Sequence, residues 1–200
     1  MPQGKISTRI IGWARELLLM IRKTQVKRIK NDGQIYFRYN GVLYPDYLNN
    51  GNAMSFILDK AKLACRGKGL DVGASSWPLP GAISVQDEGG QNAYTLDNFQ
   101  NGELDYIFSS HCLEHLERWQ EALRLWIRKI KIGGIIFLYL PHNSMKLWRR
   151  GGPWVGYAHK WVPTVEVINK LLEENGMEIL EYNPGKDRYW CFHTIAKRIK

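Results

Sequence analysis

At 200 residues the chain has the length of one ordinary domain, and its 44% hydrophobic content, with 12% aromatic residues, is enough to build a core. That excludes intrinsic disorder and a disulfide-stapled miniprotein, since a chain of this size buries about 70% of its unfolded surface. The longest wholly apolar run near the N-terminus, residues 17–21, is far short of the ~20 needed to span a bilayer, and no small-residue cleavage site follows it. Cys65, Cys112 and Cys191 are widely spaced and form no CxxC pair, which points to reduced thiols in a cytoplasmic setting and to no cysteine-based metal centre.

The charge is uneven. Residues 1–30 hold Lys5, Arg9, Arg15, Arg22, Lys23, Lys27, Arg28 and Lys30 against Glu16 alone, a formal +7 out of the total +9. Basic character therefore belongs to an N-terminal arm and says little about the body of the protein. Within the arm Ile10, Trp13, Ala14, Leu17, Leu18 and Ile21 recur at helical spacing, which predicts an amphipathic helix. Three readings follow, in order of weight. The stripe packs on the domain with its basic face solvated; or residues 1–30 anchor peripherally to an anionic membrane surface, with Trp13 at the interface; or the arm contacts nucleic acid.

Residues 35–37 and 42–44 are short β-type runs around Asn40 and Gly41, the pair that suits a tight hairpin. Residues 53–65 read as a helix ending before the break at Gly67, Lys68 and Gly69. Compact apolar runs then follow at 70–73, 82–85, 106–108 and 135–140, as strands of a sheet covered on both faces would require. Between the last two, Leu116, Trp119, Leu123, Trp126, Ile127 and Ile130 share one face of a helix closed by Gly133 and Gly134, predicting a right-handed parallel crossover. Residues 164–175 form a further helix stopped by Gly176, and 177–182 and 189–195 two closing strands joined by a turn at Asn183, Pro184 and Gly185. The arm, hairpin and helix of residues 1–66 are read as packing on a core of residues 67–200, one domain overall.

In an open parallel sheet the ligand lies at the carboxyl ends of the strands. After the first of the core strands comes a glycine turn, Asp71, Val72, Gly73, Ala74, Ser75 and Ser76, where small residues let a ligand approach the backbone. After the second come Gln86, Asp87 and Glu88, and an acid there can accept hydrogen bonds from both ribose hydroxyls of a nucleoside.

Four segments in order, LDVGASS (70–76), AISVQD (82–87), LDYIFSSHCLEHL (104–116) and KIKIGGIIFLYLPH (129–142), resemble the class I S-adenosylmethionine-dependent methyltransferases over roughly residues 67–197. More narrowly the chain is similar to the type 11 group and its members associated with bacterial polysaccharide modification. The resemblance implies an α/β, Rossmann-like, mostly parallel seven-stranded sheet flanked by helices, binding S-adenosylmethionine and releasing S-adenosylhomocysteine. It implies that Asp71, Gly73, Ala74 and Ser75 hold the methionine part of the cofactor, that Asp87 binds the ribose, and that Ser109, Ser110 and His111 border the methyl group. The chain departs from the family pattern in having Ser75 where a second glycine is usual and a short loop, residues 76–81, in place of the helix after the first strand; the ribose acid could also fall on Gln86.

His111, Glu114 and His115 spell HxxEH, the order of an inverted zinc-protease motif, but the helix starts too late to align both histidines, so no metal is expected. His111 is instead a candidate general base, or else a wall of the pocket, with His142 and His159 as the other catalytic candidates. Lys146, Trp148, Arg149, Arg150, Trp154, Tyr157 and Trp161 read either as a substrate cover or as aromatics packed under a loop. The expected activity is O-methylation of a small molecule or glycan, a sugar or lipid-linked saccharide, with nucleic acid as the lesser alternative and a non-catalytic cofactor-binding protein as the reading from another class. The sequence is silent on oligomeric state.

Overall fold

The N-terminal amphipathic pattern folds as α1 (Gly4–Thr24). The computed structural model describes residues 4–86 and 92–200, with residues 4–10 as backbone only. The chain forms two units, residues 1–51 with 145–160, and residues 52–144 with 161–200.

In the smaller unit, α1 packs through a face that the apolar stripe does not occupy. The Arg15 guanidinium lies 5.4 Å from the Tyr157 ring centroid, and Arg22 donates to the Gly151 carbonyl at 2.6 Å. Leu19 covers Gly156, where a Cβ would come within 3.0 Å of it. Trp13, Leu17, Leu18 and Ile21 stay exposed, so the packed-stripe reading does not hold. Three antiparallel strands follow, β1 (Lys27–Asn31), β2 (Gln34–Tyr39) and β3 (Val42–Pro45). The Asn40 and Gly41 turn has positive φ at both residues (47° and 76°), as its composition predicts. Asp32 and Gly33 repeat it (47° and 78°), which makes a strand of β1 where the sequence reading saw only charge.

The larger unit begins with α2 (Met54–Ala64) and builds one six-stranded sheet in the order β5-β4-β6-β7-β9-β8. The strands are β4 (Gly69–Val72), β5 (Ile83–Val85), β6 (Leu104–Ser110), β7 (Ile130–Pro141), β8 (Met177–Asn183) and β9 (Cys191–Arg198). β4, β5, β6 and β7 pair in parallel, and β9 runs antiparallel to both β7 and β8. The Rossmann-like class is as expected; the described residues form six strands in this sheet, not seven.

Side chains alternate across the sheet with period two. Ile107, Ile136, Leu138 and Leu140 join a core with Trp119, Leu123, Trp126 and Ile127 of α3 (Trp119–Lys129) and with Ile168, Leu171 and Leu172 of α4 (Val165–Glu174). Phe108, Phe137 and Tyr139 are equally buried but belong to the alternate set, and Phe108 and Phe137 meet edge to face at 5.4 Å. Burial on both faces explains why the strands read as near-continuous apolar runs. α3 ends at Lys129 rather than at the glycine pair, because Ile130 already pairs with Leu104. The register then slips, Tyr106 meeting Ile135, and Gly133 and Gly134 absorb the bulge. Gly133 has φ +83°, and a Cβ on Gly134 would sit 2.7 Å from the Asp105 carbonyl oxygen.

Candidate functional site

Four parallel strands end on one edge of the sheet. β4 gives way to Gly73 at φ +84°, whose N–H donates to the Val85 carbonyl at 2.9 Å. A Cβ here would lie 2.5 Å from Cβ and 2.8 Å from Sγ of Cys112, so only glycine lets this turn meet the segment that follows β6. Ala74 is buried beside it. Ser75 takes the left-handed conformation, φ +48°, in the position where a second glycine is usual, and its carbonyl accepts from Gln86 Nε2 at 3.1 Å.

Asp71 is buried, and its carboxylate accepts the Leu79 N–H at 2.7 Å, closing the short loop that replaces the usual helix. Burial pushes its pKa up to about 6, against the opposing effect of that hydrogen bond. Asp87 lies outside the described residues.

Gly73, Val85, Gln86, Asn92, Ala93, Tyr94, Cys112 and Leu116 line a cavity of about 330 Å³ at this edge. Its outer wall is held from α3: Trp126 Nε1 donates to the Ala93 carbonyl at 2.8 Å. Arg118 lies 4.8 Å over the Tyr94 ring, and the Tyr94 N–H reaches Asn92 Oδ1 at 2.8 Å. Burial raises the Cys112 thiol to about 12, with the Glu114 charge adding to the effect, so it stays neutral and serves as an apolar wall. The volume falls within the range of small-ligand sites, and an apolar slot with two carboxamides and bare backbone at Gly73 suits a purine, a ribose and an amino-acid tail. The residues present fit S-adenosylmethionine. Gln86, offered as the alternative to Asp87, is among the lining residues, whereas Asn92, Tyr94 and Cys112 were not singled out by sequence reasoning, although Cys112 directly follows His111.

At the end of β6, Ser109 donates to the Val72 carbonyl at 2.9 Å and Ser110 pairs with Tyr139. His111 adopts φ +52° and donates its backbone N–H to the Tyr139 carbonyl at 3.0 Å. Its Nδ1 lies 3.3 Å from the buried Glu114 carboxylate and its Nε2 3.0 Å from Cys191 Sγ. The Cys191 thiol, fully buried, has its pKa raised well above the usual value, chiefly by that burial. Asp187 pins this strand end by accepting from the backbone of Tyr189 (2.8 Å) and Cys191 (2.9 Å) and from the Tyr139 hydroxyl.

His142 is held differently. Its Nδ1 accepts the Ser144 N–H at 3.2 Å, which leaves the proton on Nε2, and burial lowers its pKa against the raising effect of the Pro184 carbonyl. His159 belongs to the smaller unit. His115 closes a 3₁₀ turn, Leu113–His115, and α3 starts only at Trp119, so His111 and His115 do not share a helical face. The aromatics of the expected cover have structural partners. Trp154 meets Phe37 edge to face at 5.0 Å in the smaller unit, while Trp161 stacks on Trp119 at 4.0 Å in the larger.

Residues 82–138, from β5 through most of β7, match the family model of the methyltransferase domain. No curated protein matches the chain by sequence. In structure the chain is similar to an S-adenosylmethionine-dependent methyltransferase from Thermotoga maritima (14% identity, 77% of this chain and 93% of that one, TM-score 0.55). It is also similar to one from Archaeoglobus fulgidus (18%, 76% and 100%, TM-score 0.50) and to a chain of the Haloferax volcanii complex of the Trm112 activator with a methyltransferase (12%, 78% and 95%, TM-score 0.54). These likenesses carry the fold; the matched segment contributes seven of the eight cavity-lining residues. Over residues 82–138 the chain is similar to the methyltransferase domain, and its fold is that of S-adenosylmethionine-dependent methyltransferases.

Proposed function

We propose that the enzyme methylates a hydroxyl group on a sugar or lipid-linked saccharide, with His111 as the general base. The observation that carries this reading is the placement of His111 between Glu114 and Cys191 at the end of β6. The cofactor supplies an electrophilic methyl group on a sulfonium. A hydroxyl acceptor must lose its proton as the new C–O bond forms, and a base then contributes to catalysis, whereas positioning alone serves an acceptor with a free lone pair. Glu114 favours the tautomer with hydrogen on Nδ1 and would balance the charge gained on protonation. Nε2 then faces the Cys191 thiol, a weak donor that a substrate hydroxyl out-competes. Gly73, Gln86 and Asn92 would hold the cofactor, with Asp71, Ala74 and Ser75 supporting the turn from behind. A cytoplasmic setting agrees with three cysteines that are all free thiols.

The test is transfer of labelled methyl to saccharide, lipid-linked saccharide and oligonucleotide acceptors. His111→Ala should lower turnover on the preferred saccharide by about 10²- to 10⁴-fold with cofactor affinity unchanged. Unchanged turnover would move the role to His142 or His159. Transfer to the oligonucleotide alone would replace the saccharide reading, and cofactor binding without transfer to any acceptor would leave a binding protein.

A further inference from the structure

Helix α1 is amphipathic, yet its packed face is not its apolar one. Contacts within its own unit come from Arg15, Leu19 and Arg22. A helical turn of about 100° per residue gathers Trp13, Leu17, Met20 and Ile21 on the opposite side. These four are 81%, 59%, 64% and 47% exposed. Helices that leave such a stripe bare have a partner for it, since contiguous exposed apolar surface of this kind marks an interaction site.

The charge beside the stripe decides which partner. Arg15 and Arg22 are taken up by the packed face; of the other charged residues in 11–31, Lys23, Lys27, Arg28 and Lys30 stand against Glu16 alone, a net +3. Lys23 on the helix and Lys27, Arg28 and Lys30 on β1 are exposed. A second copy meeting this face would set +3 against +3. A nucleic acid would neutralise the charge but leave Trp13 and Leu17 in water. An anionic lipid surface satisfies both, taking apolar side chains at the headgroup boundary and basic ones at its phosphates. No helix among the described residues is long and apolar enough to cross a membrane, so α1 would lie on the bilayer.

We propose that α1 docks the protein on an anionic bilayer, inserting Trp13, Leu17, Met20 and Ile21 at the interface while the exposed Lys23, Lys27, Arg28 and Lys30 contact lipid phosphate. This rests on the smaller unit alone and is independent of the acceptor proposed above.

The experiment is sedimentation of the full-length protein with vesicles of phosphatidylcholine alone or mixed with phosphatidylglycerol. The wild type should pellet with the mixed vesicles only, and less so as salt rises. Leu17→Glu with Ile21→Glu should lower the partition coefficient roughly tenfold or more. Both side chains are in water, so melting temperature and cofactor affinity should hold; Trp13→Ala with Met20→Ser is the milder pair should the first fail to fold. Absence of wild-type binding overturns the proposal. So does binding that both pairs leave unchanged, which would be charge attraction without insertion. A dimer, or an oligonucleotide complex, that forms in place of vesicle binding and is lost in the variants overturns it in favour of that occupant.

Discussion

Asp71 shows how a residue's surroundings set its task. The resemblance implies that it holds the cofactor's methionine part, but its carboxylate is buried and turned to the Leu79 N–H. Raised to about 6 from a usual value near 3.9, it favours the folded state while protonated. That contribution is complete below the unfolded-state pKa and is lost as pH rises through about 6, and two units correspond to about 3 kcal/mol. Asp71→Asn keeps an oxygen for Leu79 and never ionises. The variant should therefore be more stable than wild type at pH 8, by up to about 3 kcal/mol, and level with it near pH 4. Urea unfolding at the two pH values checks this, and a difference independent of pH would refute it. Cofactor affinity measured alongside should not change if Asp71 only braces the loop.

At the scale of elements, α3 carries a double duty. Trp126 is fully buried in the core, and its indole N–H is bonded to the Ala93 carbonyl at the cavity wall. Trp126→Ala should destabilise the larger unit by about 3 to 5 kcal/mol, the usual scale for removing a buried indole. Trp126→Phe should cost less while still releasing Ala93, so calorimetry should show weaker cofactor binding in a variant that remains folded. Equal affinity in wild type and Trp126→Phe would detach the helix from the site. Much of α3 was legible because a single face repeats every three to four residues. Its end was not, since the choice between helix and strand at Ile130 is made by Leu104, a pairing partner on another strand.

Across the larger unit, the cavity lies where β4, β5 and β6 end, so a ligand there contacts turns from several strands at once. Such a ligand binds the folded state alone. S-adenosylhomocysteine at a hundredfold excess over its dissociation constant should raise the unfolding free energy by about 2.7 kcal/mol. Gly73→Ala should lose most of that gain, because its Cβ would need the space of the Cys112 side chain at a φ of +84°. A full ligand-induced shift in this variant would place the cofactor elsewhere. Thermal melts with and without ligand decide between the two.

The sequence by itself determined the parallel sheet, the glycine turn at its strand ends and the hairpin at Asn40 and Gly41. Each is a local signal: residue-by-residue periodicity, or a dipeptide with a backbone preference. Asp32 and Gly33 carried the same signal for β1, hidden by the charges around them. Only the tertiary structure decided which face of α1 is covered, that Cys112 closes on Gly73, and that His111 stands between Glu114 and Cys191. His111 and Cys191 are 80 residues apart. Such meetings arise from strand order and from which side chains a neighbouring strand or loop brings near, and no short window of sequence contains that information.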